Sequence, residues 1–351
     1  MTFSDAVKTV TRETIVPMVS DTVLKGNVLL LRSLGNSKSW RSGYQYDIPI
    51  KYKKSTEGGI VGIGGTLDTA RQETRVKMTF QPQRIHKPVV VDDIEVAVNQ
   101  GDERVLELLA VEMDSIAQDL MDDCGGYLYA GTGASGASFD SILNAADDGT
   151  NFSTYGGQTR TAGYYTTLQG YYVASVGALA ISDLSTSYDS VEIGGVGPSL
   201  IVSTPTIWSA YEALLQPTVR AGYQTAGFPQ VTRTGVVSST NALSGGDIGF
   251  NALWYRGTPF VKDEKCTSQK LFMLNEKNFF WAGLDLPDYE KINTSERNIT
   301  GPQALPIPKG FNWSGMLRST NQPAEVGHMY LVGNWMSDDP RRCGQATGIT
   351  G

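Results

Sequence analysis

The stretch from Tyr44 to Phe80 restricts the fold more than any other. It joins an alternating segment, YQYDIPIKYKK, to a second one, RVKMTF, through glycine-studded text that includes GGIVGIGG. In RVKMTF, Val76, Met78 and Phe80 alternate with Arg75, Lys77 and Thr79, the period of a strand with one apolar and one polar face. Tyr44 to Lys53 therefore pairs with it as a long β-hairpin, and the glycines between them form its tip. Such a tip is a poor element for a packed interior. A two-stranded ribbon alone is marginal in water, so this one requires a surface to lie on.

Following the ribbon, TARQETRVKMTFQPQRIHKPVVVDDIEV leads into the clearest helical pattern of the chain, Asp102 to Asp123. Val105, Leu109, Met113, Ile116 and Leu120 recur at three- and four-residue steps, and Leu106, Ala110 and Ala117 widen that face. Glu103, Glu107, Asp114 and Asp122 occupy the opposite face. Asn99 or Asp102 caps the start, and Gly125-Gly126 is expected to stop the helix. At ~1.5 Å per residue it runs for roughly 33 Å, long for one small core.

The remaining text divides unevenly. Residues 1 to 35 read as an arm with a short helix around VLLLRSL. GYYTTLQGYYVASVGALAIS suggests a helix with aromatic content. SLIVS reads as a buried strand, with Thr204 as cap and Pro205 opening a helix to about Leu215. ALWYRG, TPFVKD, QKLFMLN and KNFFWAG form a series of strands, and EVGHMYLVGNWMSDDPRRCGQATGI supplies one more strand and a turn. No internal repeat is present.

Length and charge narrow the class. A chain of 351 residues exceeds the usual single core, which implies two lobes or one domain with long excursions. Residues 1 to 100 hold 14 Lys/Arg against 10 Asp/Glu, residues 101 to 200 hold 2 against 14, and the rest is nearly balanced. A basic first third and an acidic second third can attract each other within one chain or between copies, although a single surface charge is more often merely solvated. With no leader pattern and no window of ~20 apolar residues, the expectation is a cytoplasmic chain without membrane contact.

Catalytic chemistry has little material. The two histidines, His86 and His328, cannot furnish a His-based metal site or a Ser-His-Asp triad, and the three distant cysteines fit neither a disulfide framework nor a zinc knuckle. Neighbouring carboxylates such as Asp92-Asp93 and Asp122-Asp123 point apart on regular elements. GTGASG, at Gly131 to Gly136, matches a dinucleotide-cradling spacing, but a long helix precedes it and no βαβ alternation surrounds it. No catalytic residue, metal ligand or cofactor is assigned. Basic residues do not cluster on a helix, which leaves only nonspecific electrostatic contact with nucleic acid.

Arm, glycine-tipped hairpin, long amphipathic helix, α/β lobe and returning strand: this order resembles the major capsid protein of tailed bacteriophages, whose fold is named after coliphage Hong Kong 97 and is shared by encapsulin shells. TARQETRVKMTFQPQRIHKPVVVDDIEV with the helix after it, ALWYRGTPFVKDEKCTSQKLFMLN and GHMYLVGNWMSDDPRR carry the resemblance, through order and pattern over nearly the whole chain. It implies an α+β Hong Kong 97-like fold with an N-terminal arm (1 to 35), an extended loop (36 to 88), a peripheral domain (89 to 160) with a spine helix at 102 to 123, an axial domain (161 to 300), and a return to the peripheral domain (301 to 351). The implied function is non-enzymatic. It is self-assembly through hexamers and pentamers into an icosahedral virion shell around double-stranded DNA, built in the host cytoplasm, with scaffolding, portal and decoration proteins as further candidate partners. An encapsulin-type compartment is the alternative, and a nucleotide-binding enzyme using GTGASG the remote one. Lys51, Lys53, Lys54, Arg71, Arg75 and Lys77 on the ribbon are candidate contacts for the acidic Glu103, Glu107, Asp114 and Asp122 of a neighbouring copy. No ribbon lysine matches the isopeptide-forming lysine of some family members, so noncovalent shells are expected.

Overall fold

The computed structural model describes residues 27–40, 43–98, 108–133, 138–160, 166–223, 252–284, 309–318 and 323–350. In chain order the helices are α1 (Val28–Gly35), α2 (Asp93–Val98), α3 (Leu108–Ala130), α4 (Ile142–Ala145), α5 (Ile181–Val191) and α6 (Pro205–Tyr223). The strands are β1 (Lys38–Ser39), β2 (Tyr46–Lys51), β3 (Arg75–Phe80), β4 (Gln83–Asp92), β5 (Thr154–Tyr155), β6 (Gln158–Thr159), β7 (Tyr171–Val173), β8 (Gly177–Ala178) and β9 (Leu200–Ser203). They continue with β10 (Ala252–Tyr255), β11 (Thr258–Lys262), β12 (Lys270–Leu274), β13 (Phe279–Gly283), β14 (Phe311–Trp313), β15 (Leu317–Arg318), β16 (Ala324–Ser337), β17 (Cys343–Thr347) and β18 (Ile349–Thr350).

The first sheet is organised by the 14-residue β16. On one edge it pairs antiparallel with β4, from Ala324 opposite Asp92 to Gly333 opposite Gln83. Its other edge takes β13, β14 and β15 in succession, and β1 adds to β13 in parallel. Helix α3 crosses the inner face of β4. Leu120, Cys124 and Leu128, at four-residue steps, are fully buried there, and Asp123 reaches Lys87 of β4 at 2.7 Å.

The second sheet has the order β10-β11-β9-β12-β17-β7. Both of its faces are buried, so its strands lack simple alternation. Leu200, Val202, Phe272 and Leu274 join the core under α3, whereas Ile201, Phe260, Leu271 and Met273 join a second core with Leu184, Tyr188 and Val191 of α5 and Ile207 and Tyr211 of α6. Successive residues of β9 and β12 thus serve opposite cores, which explains the continuous apolar run LIVS. One sheet is the wall between two hydrophobic interiors.

Several expectations hold and several are corrected. The hairpin pairs as expected, with Tyr46 opposite Phe80 and Lys51 opposite Arg75. Pro205 opens α6, and the four strands expected between 252 and 283 are present. Helix α3, in contrast, passes through Gly125-Gly126 and ends at Ala130, so GYLYA is helical. Packing overrides the weak propensity here. Any Cβ at Gly125 would lie 1.6 Å from Asn27 Nδ2, and Leu128 and Tyr129 beyond it are buried. The expected aromatic helix near 163 to 182 is instead a 3-10 turn (Thr166–Leu168), β7 and β8, with only the start of α5 helical. Tyr171 to Val173 pair with Gly344 to Ala346, partners too distant for local periodicity to reveal. In the sheet order, β13 lies in the first sheet and β17 in the second. The start of the spine helix, at 102 to 107, falls outside the described residues.

Candidate functional site

The ribbon is anchored firmly at its root. Met78 and Phe80 are buried, and Tyr155 meets the Phe80 ring edge-on at 5.3 Å between centroids. Thr79 N–H donates to the Gly156 carbonyl (2.9 Å), and Gln158 Nε2 donates to the Lys77 carbonyl (2.9 Å). Tyr46 packs against Trp40 at 5.3 Å. Beyond the paired strands, 52 to 74 runs without regular structure. Tyr52 N–H donates to the Thr74 carbonyl (3.1 Å), and Thr56 N–H to Gln72 Oε1 (3.1 Å). Every residue from 58 to 71 is exposed.

Six basic side chains ride on this projection. Lys51, Lys54, Arg71, Arg75 and Lys77 are exposed, and Lys53 is half-buried with Nζ 5.6 Å from the Tyr52 ring. Lys77 pairs with Asp47 across the ribbon at 3.0 Å. Of the acidic candidates, the described side chain is that of Asp122. Asp122 pairs with Lys265 of the same chain at 2.5 Å, and Asp114 sits on α3 with its side chain outside the described set. Glu103 and Glu107 lie outside the described residues. Sequence reasoning missed the tip itself. Ile60 and Ile63 are as exposed as in an extended peptide (106% and 111%), Leu67 is 73% exposed, and Val61 is exposed beside them. Their signal was the presence of large aliphatic residues inside the glycine run.

Behind the ribbon root lies a polar cavity of about 530 Å³ whose lining includes Gln81, Gln83, Thr132, Asp140, Asn144 and Asn334. Asn334 Nδ2 donates both to Asp140 Oδ2 (2.8 Å) and to the Gln81 carbonyl at the ribbon root (3.0 Å), and its Oδ1 accepts from Asp140 N–H (2.9 Å). Asn144 Nδ2 holds the other Asp140 oxygen at 3.0 Å. Burial pushes the Asp140 carboxyl up to about 6, against hydrogen bonds from Asn334 and Asn144 and the charge of Arg160 that favour its ionised form. Arg160 is wholly buried, donates to the carbonyls of Asn144 and Asp147, and stacks 4.6 Å from the Tyr155 ring. These contacts tie Asp140, Asn144 and Arg160 to the ribbon root through Asn334, while Arg160 Nε is buried without a hydrogen-bond partner.

Among the described residues no nucleophile–base pair is assembled. His86 and His328 stand side by side on the outer face of the first sheet, ring centroids 5.9 Å apart. Cys124, Cys266 and Cys343 are buried free thiols, all pushed well above their ordinary range by burial. Among the described residues no group of three or more His, Cys, Asp or Glu could hold a metal ion, and no helix is long and apolar enough to cross a membrane.

In sequence, neither a family model nor a curated protein matches the chain. In structure the likeness is extensive. The capsid asymmetric unit of cyanophage A-1(L) superposes with a TM-score of 0.68 at 14% identity, over 99% of each chain. The capsid of the native GTA particle gives 0.60 at 9% identity over 99% of this chain and 98% of that one. The holo-SrpI encapsulin complex of Synechococcus elongatus PCC 7942 gives 0.57 at 10% identity over 99% and 96%. This is the Hong Kong 97-like capsid fold. The fold accounts for the solvent-borne ribbon, the long helix under the first sheet, and the second sheet with its own helical layer. At identities this low the likeness establishes architecture, and the function has to be argued from surfaces.

Proposed function

We propose that this chain is a major capsid protein that self-assembles into the icosahedral shell of a tailed phage around double-stranded DNA. One observation carries the reading: a glycine-rich ribbon, anchored only at its root, holds aliphatic side chains fully in water. An isolated chain gains nothing from that exposure, whereas a neighbouring copy buries it. On this reading residues 36 to 88 are the extended loop and α3 the spine of a peripheral domain that includes the first sheet. The second sheet with α5 and α6 forms the axial domain around capsomer centres. The role is structural, without catalysis, in a virion shell assembled in the host cytoplasm. Scaffolding, portal and decoration proteins are candidate further partners, and packaged DNA is met nonspecifically.

The ribbon's Lys51, Lys53, Lys54, Arg71, Arg75 and Lys77 face acidic residues of a neighbour, with Glu103, Glu107, Asp114 and Asp122 as the sequence-derived candidates. Charge reversal of Arg71 and Arg75 to Glu impairs shell formation while the subunit stays folded; normal shells from that double variant overturn the electrostatic part. Subunits are joined noncovalently, so boiling in denaturant returns a single band, and a ladder of larger species contradicts this. Electron microscopy of the purified protein tests the whole reading, since closed shells are expected and their absence refutes it. The encapsulin likeness supports a second reading, a compartment loaded with protein, which nuclease-protected DNA inside the shells excludes.

A further inference from the structure

We infer that the second sheet carries a binding site for a small oxyanion of phosphate size, at the start of α6. The site belongs to a single chain and does not rest on the shell reading. Strands β9 and β11 run parallel, with Val202 opposite Val261 and Ser203 opposite Lys262, so both end on the same side of the sheet. Helix α6 starts directly after β9, at Pro205. The ends of parallel strands, with the N-terminus of the helix that follows, are where an α/β layer gathers open amides and positive partial charge. A cavity of about 430 Å³ opens at this spot, and Thr204, Thr206, Ile207, Glu264 and Ser268 belong to its lining.

Three donors at this helix end lack an acceptor. Thr204 stands at the capping position of α6, only 8% exposed, and its buried hydroxyl oxygen has no hydrogen-bond partner. Its carbonyl already accepts from Trp208 N–H (3.0 Å), so the helix has closed its first turn, yet neither Thr206 N–H nor Ile207 N–H donates to a described residue. A threonine in this position ordinarily turns its hydroxyl onto those amides and satisfies them. Here the hydroxyl and both amides are left open together. Buried polar groups are paired in the great majority of cases, and an orphan set of donors calls for an acceptor. An oxyanion accepts from O–H and N–H alike, and the helix end favours its charge.

The charges around the mouth select its size. Lys262 is exposed, with Nζ 5.3 Å from the ring of Trp208 in the first turn of α6. Glu264 lines the cavity and is exposed. The neighbouring Asp263 is buried and held by Tyr129 and by the Leu29 and Lys265 amides. One rim carboxylate leaves room for a small ion beneath it but repels a nucleic-acid backbone, whose phosphates arrive as a row. A free phosphate-sized ion is thus the fitting occupant.

Calorimetric titration of the full chain with inorganic phosphate tests this. Saturable binding with a Kd of about 1 mM or tighter is expected. Thr204→Val keeps the shape of the side chain and removes the hydroxyl, and is expected to weaken binding at least ~10-fold. In phosphate-free buffer the same variant should melt no lower than wild type, because a buried hydroxyl without a partner adds nothing to the fold. A lower melting point there shows that the hydroxyl already has a partner, and overturns the argument. Ser268→Glu, at an exposed position of the lining, adds a second carboxylate and is expected to abolish binding, which keeps the test independent of how well Thr204→Val folds. Glu264→Gln is expected to tighten binding. Titrations that do not saturate, or equal affinities for wild type, Thr204→Val and Ser268→Glu, remove the site. A short DNA duplex at the same phosphate concentration is expected to bind wild type and Thr204→Val alike; a duplex affinity that falls with Thr204→Val overturns the small-ion assignment in favour of nucleic acid.

Discussion

Replacing Ile60 and Ile63 together by Ser separates what the ribbon does for the subunit from what it does for the shell. Both side chains are fully solvated in the single chain, so their loss removes no packing, and the stability of the unassembled subunit should stay within about 0.5 kcal/mol of wild type. On the proposed reading, the same residues are buried against a neighbour in the shell. Full burial of an Ile is worth about 1.5–3 kcal/mol, so each ribbon contact weakens by roughly 3–6 kcal/mol. At 1.4 kcal/mol per factor of ten this is ~100- to ~10,000-fold in the contact's equilibrium constant. Urea unfolding of the unassembled chain and sedimentation of shells across subunit concentrations read the two effects. The expected result is an unchanged urea midpoint with half-assembly displaced to at least ~100-fold higher concentration. Unchanged assembly refutes the reasoning, because it means the aliphatic tip stays in water in the shell. A lowered urea midpoint refutes it from the other side, by showing that the tip already packs within the subunit.

Four further substitutions address the ribbon and the network at its root. The Asp140 carboxyl, raised by burial from 3.8 to about 6, binds its proton more tightly in the folded chain. Its stabilising contribution is complete below pH ~4 and lost as pH rises through 6, so wild type should lose about 3 kcal/mol relative to Asp140→Asn over that window in denaturant titrations. A pH-independent difference contradicts the assignment. Arg160→Ala strands two buried carbonyls and leaves a void, and is expected to cost about 3–5 kcal/mol by urea midpoint, with a cost under ~1 kcal/mol arguing that the guanidinium is dispensable. Gly133→Ala places a Cβ 2.3 Å from Asp140 Oδ1 at φ +68°, whereas Gly64→Ala at φ +81° meets open space. The first should cost at least ~3 kcal/mol and the second about 1, and equal costs would show that backbone strain alone governs both.

What the sequence made legible was local. The hairpin followed from alternation in RVKMTF, and the start of α6 from Thr204 and Pro205, because each signal lies within a few residues of its effect. The course of α3 through Gly125-Gly126 was hidden because the compensating contact comes from Asn27, about a hundred residues away. The pairing of Tyr171 to Val173 was hidden for the same reason, its partner strand lying at 343 to 347. At the site, the basic ribbon residues were readable as charges, whereas Ile60 and Ile63 were not readable as contact groups: the same letters suit a buried turn. Of GTGASG, the described Gly131 to Gly133 follow the end of α3, and Gly133 makes room for the Asp140 carboxyl.

The position of β17 bears on how the subunit is made. It lies inside the second sheet, between β12 and β7, and closes contacts to residues translated some 170 positions earlier. During synthesis the wall between the two cores stays open until residue 347 has left the ribosome, while the ribbon and α3 emerge in the first 130 residues. A nascent chain therefore carries the ribbon, on the proposed reading its contact to neighbouring copies, before the second sheet that completes the subunit's body can close.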